Sequence, residues 1–332
     1  MKKILFCIFC LPFILTSCFD EENFDSSKRG NFEALWKIID EKYCFFEYKN
    51  IDWQEIHDKY LPRISESMDN EALFDVLGQM LAELKDGHVN LVTSYDVSRY
   101  WKWYEDYPDN FDISIQRNYL NTDYMIASGL KYKILDDNIG YIYYESFMNA
   151  VGEGNLDQVL GRLSLCNGII IDVRNNGGGA LTNAEKIACR FFNEKTLVGY
   201  IIHKTGKGHN DFSEPYERYI EPSNRIRYQK NVAVLTNRRS YSATNDFVSM
   251  MKYAPNVVVI GDKTGGGSGL PFSSELPNGW LVRFSASPMI NSEREHTEFG
   301  INPDIKVDMT DLDKDRGIDT IIETAREYLK RN

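Results

Sequence analysis

The chain has 332 residues, enough for a large buried core and more than one folded unit. Its 42% hydrophobic and 26% charged residues are ordinary globular values and exclude a disordered or fibrous chain. A formal net charge of −11 with no basic stripe makes it a poor nucleic-acid binder.

Met1-Lys2-Lys3 followed by the apolar run Ile4 to Leu15 reads as a targeting segment over residues 1–17, too short to span a membrane comfortably. The run ends at Leu15-Thr16-Ser17-Cys18, which resembles the lipobox of bacterial lipoproteins. Cys18 would then carry lipid and become the mature N-terminus; ordinary secretory cleavage near Ser17 is the competing reading. The acidic Phe19-Asp20-Glu21-Glu22 resembles the surface-export signal of Bacteroidota lipoproteins. The expected location is the cell envelope, lipid-anchored at the outer membrane and open to surface exposure. Residues 18–30 are polar and read as a tether. Three cysteines, Cys44, Cys166 and Cys189, remain beyond Cys18, an odd set without a close CxxC pair. That argues against a disulfide framework or a structural zinc site, and they read as small buried residues.

From Asn31 to Leu84 the apolar period is helical. Phe32, Leu35, Trp36 and Ile39 mark one helix, and Trp53, Ile56 and Tyr60 a second, capped by Asp52. Leu73, Val76, Leu77, Met80, Leu81 and Leu84 mark a third. This predicts a small helical N-terminal domain over 31–90. In the connecting segment 91–130, Phe111 to Gln116 reads as a strand, as does Val89 to Val92 just before it. Tyr132–Leu135 and Ile139–Tyr144 predict a hairpin over Asp136-Asp137-Asn138. Helices at Leu156–Leu165, Asn183–Phe192 and Thr244–Tyr253 then alternate with strands at Gly168–Val173, Val232–Leu235 and Val257–Ile260, as in βα units. Gly279 to Ser285 adds a strand, Asp319 to Leu329 a last amphipathic helix, and Lys204 to Arg227 a polar excursion.

Four segments carry chemistry. Arg238-Arg239-Ser240-Tyr241-Ser242-Ala243 lies between a buried strand and a helix. A Ser at such a turn is accessible and sits beside the free amides of a helix N-terminus, although Ser is also a common N-cap. Asp172-Val173-Arg174-Asn175-Asn176-Gly177-Gly178-Gly179 leads a buried strand into three glycines, which let backbone amides approach a ligand. A dinucleotide loop would need GxGxxG spacing, which is missing, and Asp172 and Arg174 read as braces. His88 follows Asp86-Gly87 at a helix-to-strand junction, where a ring can be aimed into a cleft. Glu298 opens the turn-rich Glu298-Phe299-Gly300-Ile301-Asn302-Pro303-Asp304, from which a carboxylate can orient an imidazole. The bland readings are a structural His and a solvated Glu. No two of the five His show HExxH or HxxxH spacing, so metal hydrolysis is disfavoured and no cofactor is expected.

In this order, Asp86-Gly87-His88, Asp172-x-Arg174-x-Asn176-Gly177-Gly178-Gly179, Ser240-x-Ser242-Ala243, Gly261-Asp262-Lys263-Thr264-Gly265-Gly266 and Gly300-Ile301-x-Pro303-Asp304 resemble the C-terminal-processing (tail-specific) serine peptidase family, most closely its tricorn-core branch. The resemblance runs from residue 31 to 330. It implies an α/β fold, with a crotonase-like βα core over 131–332 beside the helical domain. It also implies Ser242 as nucleophile, His88 as general base, Glu298 as the carboxylate orienting it, and the amides of Gly178 and Ala243 as the oxyanion hole. Peptides or proteins would be the substrates. Ser–Lys members of that family carry their Lys in a Gly-Lys-Gly turn; here the turn reads Thr264-Gly265-Gly266-Gly267-Ser268-Gly269, and Lys263 belongs to a solvated turn. A PDZ domain does not fit in the roughly 40 residues between Val92 and Lys131. A non-catalytic surface binder on the same fold and an esterase are the alternatives. Oligomeric state, peptide preference and a role for residues 95–121 are not legible.

Overall fold

The computed structural model describes residues 24–331, so the expected signal segment and Cys18 lie outside the described residues. The N-terminal unit holds α1 (Lys28–Lys42), α2 (Phe46–Lys49), α3 (Trp53–Tyr60) and α4 (Asn70–Ala82). The side chains of Ser27, Asp52 and Asp69 cap α1, α3 and α4 by accepting from Gly30, Glu55 and Ala72 amides. β1 (Asn90–Val92), α5 (Lys102–Glu105) and α6 (Ile113–Leu120) follow. The predicted strand at 111–116 is therefore a helix. Asp112 stops the chain in an extended conformation and accepts the amides of Ser114 and Ile115, and α6 buries Ile115, Gln116 and Leu120 on one face.

β2 (Met125–Ala127), β3 (Leu130–Ile134) and β4 (Ile139–Tyr144) form an antiparallel meander, as the predicted hairpin requires. Then come α7 (Glu153–Leu163), β5 (Gly168–Asp172), α8 (Leu181–Ala188), β6 (Thr196–Ile201), β7 (Tyr216–Ile220), β8 (Val232–Thr236), α9 (Ala243–Met251) and β9 (Val257–Gly261). The last elements are β10 (Gly269–Glu275), β11 (Leu281–Ile290), β12 (Ile305–Lys306), α10 (Asp311–Asp315) and α11 (Thr320–Arg331).

A seven-stranded sheet runs β12-β9-β8-β5-β4-β3-β2, parallel from β12 to β4. Ile171 faces Val234, which faces Val259. These strands are covered on both faces, hence their unbroken apolar runs. One face packs on α7, α8 and α9 through Leu156, Leu160, Ile187 and Phe247; the other packs on α6 and α11 through Ile115, Ile321 and Leu329. The α/β expectation is met.

A second, five-stranded sheet runs β1-β11-β6-β7, with β10 on the other side of β11. Val282, Phe284 and Trp280 sit in the same apolar cluster as Phe32, Leu35 and Leu77, so this sheet and the N-terminal helices share one core. The polar excursion is partly strand: β7 leaves Tyr216, Glu217 and Tyr219 exposed, which removes the period-2 signal a sequence would show.

Candidate active site

The segments singled out in the sequence converge beyond the carboxyl ends of β5, β8 and β9, where open α/β sheets bind their ligands. Arg174 fixes the loop after β5. Its guanidinium is fully buried and takes both Asp172 oxygens, Nε to Oδ1 at 2.9 Å and Nη2 to Oδ2 at 2.7 Å, while Nη1 donates to Asp319 Oδ1 at 3.0 Å. Tyr141 adds a hydroxyl to Asp172 Oδ2 at 2.8 Å. The expected bracing role of Asp172 and Arg174 matches this geometry.

The loop after β8 is stitched to the first. Asn237 Nδ2 donates to Asn175 Oδ1 at 2.7 Å, the Asn175 amide returns a bond to Asn237 Oδ1 at 2.9 Å, and Ser240 Oγ donates to Val173 O at 2.9 Å. Ser242 caps α9 with φ 59° and ψ −123°, a backbone conformation that costs a non-glycine residue about 1–3 kcal/mol. Its amide donates to Gly266 O at 2.9 Å, which holds the strained turn. The strain lifts the Ser242 hydroxyl out of the buried helix start, where Ala243, Thr244 and Asn245 are all covered.

His88 arrives from the other core, on the turn between α4 and β1. Its Nε2 lies 2.9 Å from Ser242 Oγ, and its amide donates to Asp86 Oδ1 at 2.8 Å. The ring is 3% exposed. Burial pulls the imidazole down to about 4; Asp86 opposes that pull, while Arg283 and Lys49 reinforce it. His88 is therefore neutral at neutral pH, the form that accepts a proton.

Glu298 is brought to the same region but does not touch the ring. Its Oε2 accepts the Ser268 amide at 2.8 Å and its Oε1 pairs with Lys49 Nζ at 2.9 Å. His88 Nδ1 is buried and takes no side-chain partner, and the Gly269 backbone is the hydrogen-bonding group that favours the charged ring. The implied Glu298-to-imidazole bond is thus replaced in this geometry by a bond to Lys49, a residue that sequence reading passed over. Burial and the neighbouring Asp86 charge push Glu298 up to about 7, against the pull of Lys49. Asp86 accepts from Tyr43 Oη at 3.0 Å and Ser285 Oγ at 2.9 Å, and lies 3.3 Å from Lys49 Nζ. Burial pushes Asp86 up, but Lys49, His88 and these donors outweigh it and hold the carboxyl below its usual value.

Of the two expected oxyanion donors, Ala243 begins α9, so its amide is one of the unpaired donors of a helix start. The Gly178 amide donates at 3.0 Å to Asn176 Oδ1, which also receives Thr244 Oγ1 at 2.7 Å. Gly178 has φ +99°, and a Cβ there would lie 2.9 Å from the Ala243 nitrogen, so the glycine loop presses directly on the Ser242 turn. Among the described residues no group of His, Cys, Asp and Glu is arranged to hold a metal ion.

Residues 138–307 match the model of peptidase family S41, and residues 24–82 match the tricorn protease C1 domain. The chain is 24% identical to the carboxy-terminal processing protease CtpA of Bacillus subtilis over 209 residues, 62% of this chain and 41% of that protein. It spans about a third to two fifths of the length of the curated relatives it matches. The crystal structure of a protein from Parabacteroides merdae is 57% identical, with a TM-score of 0.89 covering 92% of this chain and 97% of that one. Mature CPAF shares the fold at 11% identity, with a TM-score of 0.69 over 92% of this chain and 96% of its own. With a family match across half of its length, on the segments that build the Ser242 site, the chain belongs to peptidase family S41.

Proposed function

We propose that the protein is a serine hydrolase of peptide bonds in which Ser242 and His88 do the chemistry. The observation that carries this reading is the 2.9 Å approach of His88 Nε2 to Ser242 Oγ, between a neutral imidazole and a hydroxyl at a strained helix start. Ser242 Oγ attacks the scissile carbonyl carbon as its proton passes to His88 Nε2. The oxyanion is met by the Ala243 amide, and by the Gly178 amide once that donor exchanges Asn176 Oδ1 for the substrate oxygen. The C–N bond then breaks as His88 returns the proton to the leaving amine. Water, deprotonated by His88, releases the acyl group from Ser242. Glu298 and Asp86 supply negative charge behind the imidazolium. The substrates are peptides or proteins, selected by the enzyme's own cleft without a PDZ insertion between residues 91 and 130. Cys18 carries the lipid that holds the chain at the cell envelope.

A fluorophosphonate probe applied to the full chain tests the chemistry. Wild type should label, and Ser242→Ala and His88→Ala should not. A folded wild type that stays unlabelled returns the fold to a binding role. A matched peptide and ester panel then separates a peptidase from an esterase. Incorporation of labelled palmitate that disappears in Cys18→Ala tests the anchor.

A further inference from the structure

We propose that Lys49 is a positioning residue of this site, clamping Asp86 and Glu298 into one ionised cluster behind His88. The proposal rests on the hydrolytic reading above and deepens it.

Lys49 ends the four-residue helix α2 and has no place in any of the family-like segments. Lysine is almost never fully buried unless paired. Here the side chain is 3% exposed, with Nζ 2.9 Å from Glu298 Oε1 and 3.3 Å from Asp86 Oδ2. The faces of Tyr43, Phe45 and Phe299 stand 5.7, 5.3 and 5.8 Å from the ammonium and close off water. The carboxylates come from separate elements: Asp86 from the turn that carries His88, and Glu298 from the loop between β11 and β12. Among the described residues, Lys49 is the cation within salt-bridge distance of both carboxylates. It therefore ties the His88 turn to the Glu298 loop.

The charge arithmetic gives the clamp its chemical meaning. Two carboxylates and one ammonium leave a single net negative charge beside the imidazole. That charge matches the imidazolium formed when Ser242 gives up its proton. Without the ammonium, two buried neighbouring carboxylates cannot both stay ionised, and one must take a proton. Glu298 is the one that yields, since burial and Asp86 already hold it at about 7. The other titratable groups around the cluster do not take over this role. From the N-terminal unit, Tyr43, Cys44 and Tyr48 are all pushed up by burial and stay neutral, as does Tyr100 from the segment before α5. Arg283 on β11 acts on His88, and its charge lowers the imidazole as Lys49 does.

The test is the rate of fluorophosphonate labelling of the full-length chain across about pH 5 to 9. Wild type should show an acid limb near the Glu298 value of about 7. Lys49→Met should abolish that limb and extend labelling to lower pH, because a protonated Glu298 beside an ionised Asp86 then already leaves the single negative charge. Lys49→Arg should keep the limb close to wild type, because the cation is what matters. Glu298→Gln alone should label weakly at every pH without that limb, since Asp86 and Lys49 then cancel, and adding Lys49→Met should restore labelling, again without the limb. If Lys49→Met keeps the wild-type profile, or if Glu298→Gln retains the limb, the clamp is refuted while the Ser242–His88 reading stands. A wild type that fails to label refutes both. Glu298→Gln keeps the test decisive even if Lys49→Met does not fold.

Discussion

The indole of Trp103 lies against the ring of Tyr241, with centroids 4.1 Å apart and planes 26° from parallel. Tyr241 immediately precedes Ser242, so the indole backs the strained turn from outside. The neighbouring residues do the same. Arg238 Nε donates to Trp103 O at 2.5 Å and its guanidinium covers Tyr107 at 4.1 Å, while Arg239 covers Tyr104 at 4.3 Å. Trp103→Ala should lower kcat/KM about tenfold or more by loosening Ser242, whereas Trp103→Phe should keep most of it. Steady-state kinetics on one peptide substrate decides; equal rates for wild type and Trp103→Ala would make the stack ornamental.

The Glu298 carboxyl gives a stability signature separate from activity. It is pushed up to about 7 from an ordinary 4.5, so the folded protein holds a proton there that the unfolded chain has lost. That group's contribution to stability therefore falls as pH rises from 4.5 to 7. His88 acts in the opposite sense: pulled down from 6.5 to about 4, it makes the fold more stable as pH rises through that window. Glu298→Gln removes only the first effect. Relative to wild type, the variant should gain thermal stability between about pH 5 and pH 8. Melting curves at both values check it, and a difference that shrinks or reverses with pH contradicts the assignment.

Arg174 is the buried cation that Asp172 and Asp319 share. Arg174→Met leaves both carboxylates uncompensated and should cost about 3–5 kcal/mol. Denaturant midpoints measure it. Arg174→Met with Asp319→Asn should recover part of the loss, since one of the stranded charges is then gone.

Two glycines in the site loops should behave oppositely. A Cβ on Gly266 would sit 1.8 Å from Glu298 O at φ +85°, and Gly266 O accepts the Ser242 amide. Gly266→Ala should therefore destabilise the fold by about 2 kcal/mol or more and abolish labelling. A Cβ on Gly177 meets nothing within 4 Å, and Gly177→Ala should fold as wild type does. Thermal melts of the pair, side by side, distinguish the two.

Much of this was legible from local pattern. The buried strands β5, β8 and β9 are apolar up to their last residue, and the turn after each is rich in Gly, Asn and Ser, so strand, loop and helix could be placed from local pattern. Ser242 and His88 were reachable because each stands at a junction between two elements of recognisable pattern. Lys49 was not, because its partners lie 37 and 249 residues away along the chain, and its burial is a tertiary property without periodic trace. The helix α6 was mistaken for a strand because its β-branched and aromatic residues outweigh a single Asp cap in a propensity reading. The mostly exposed β7 lacked any alternation to find.

Val89, next to His88, and Ala243, next to Ser242, belong to different hydrophobic cores, and the Arg174 brace needs Asp319, which comes later in the chain than either. A ribosome delivers these parts in sequence order: the base first, the nucleophile much later, then the Glu298 loop, and the brace last. A nascent chain short of Asp319 thus carries Ser242 without its finished setting. The loop that carries Ser242 gains its full bracing only once Asp319 has been made.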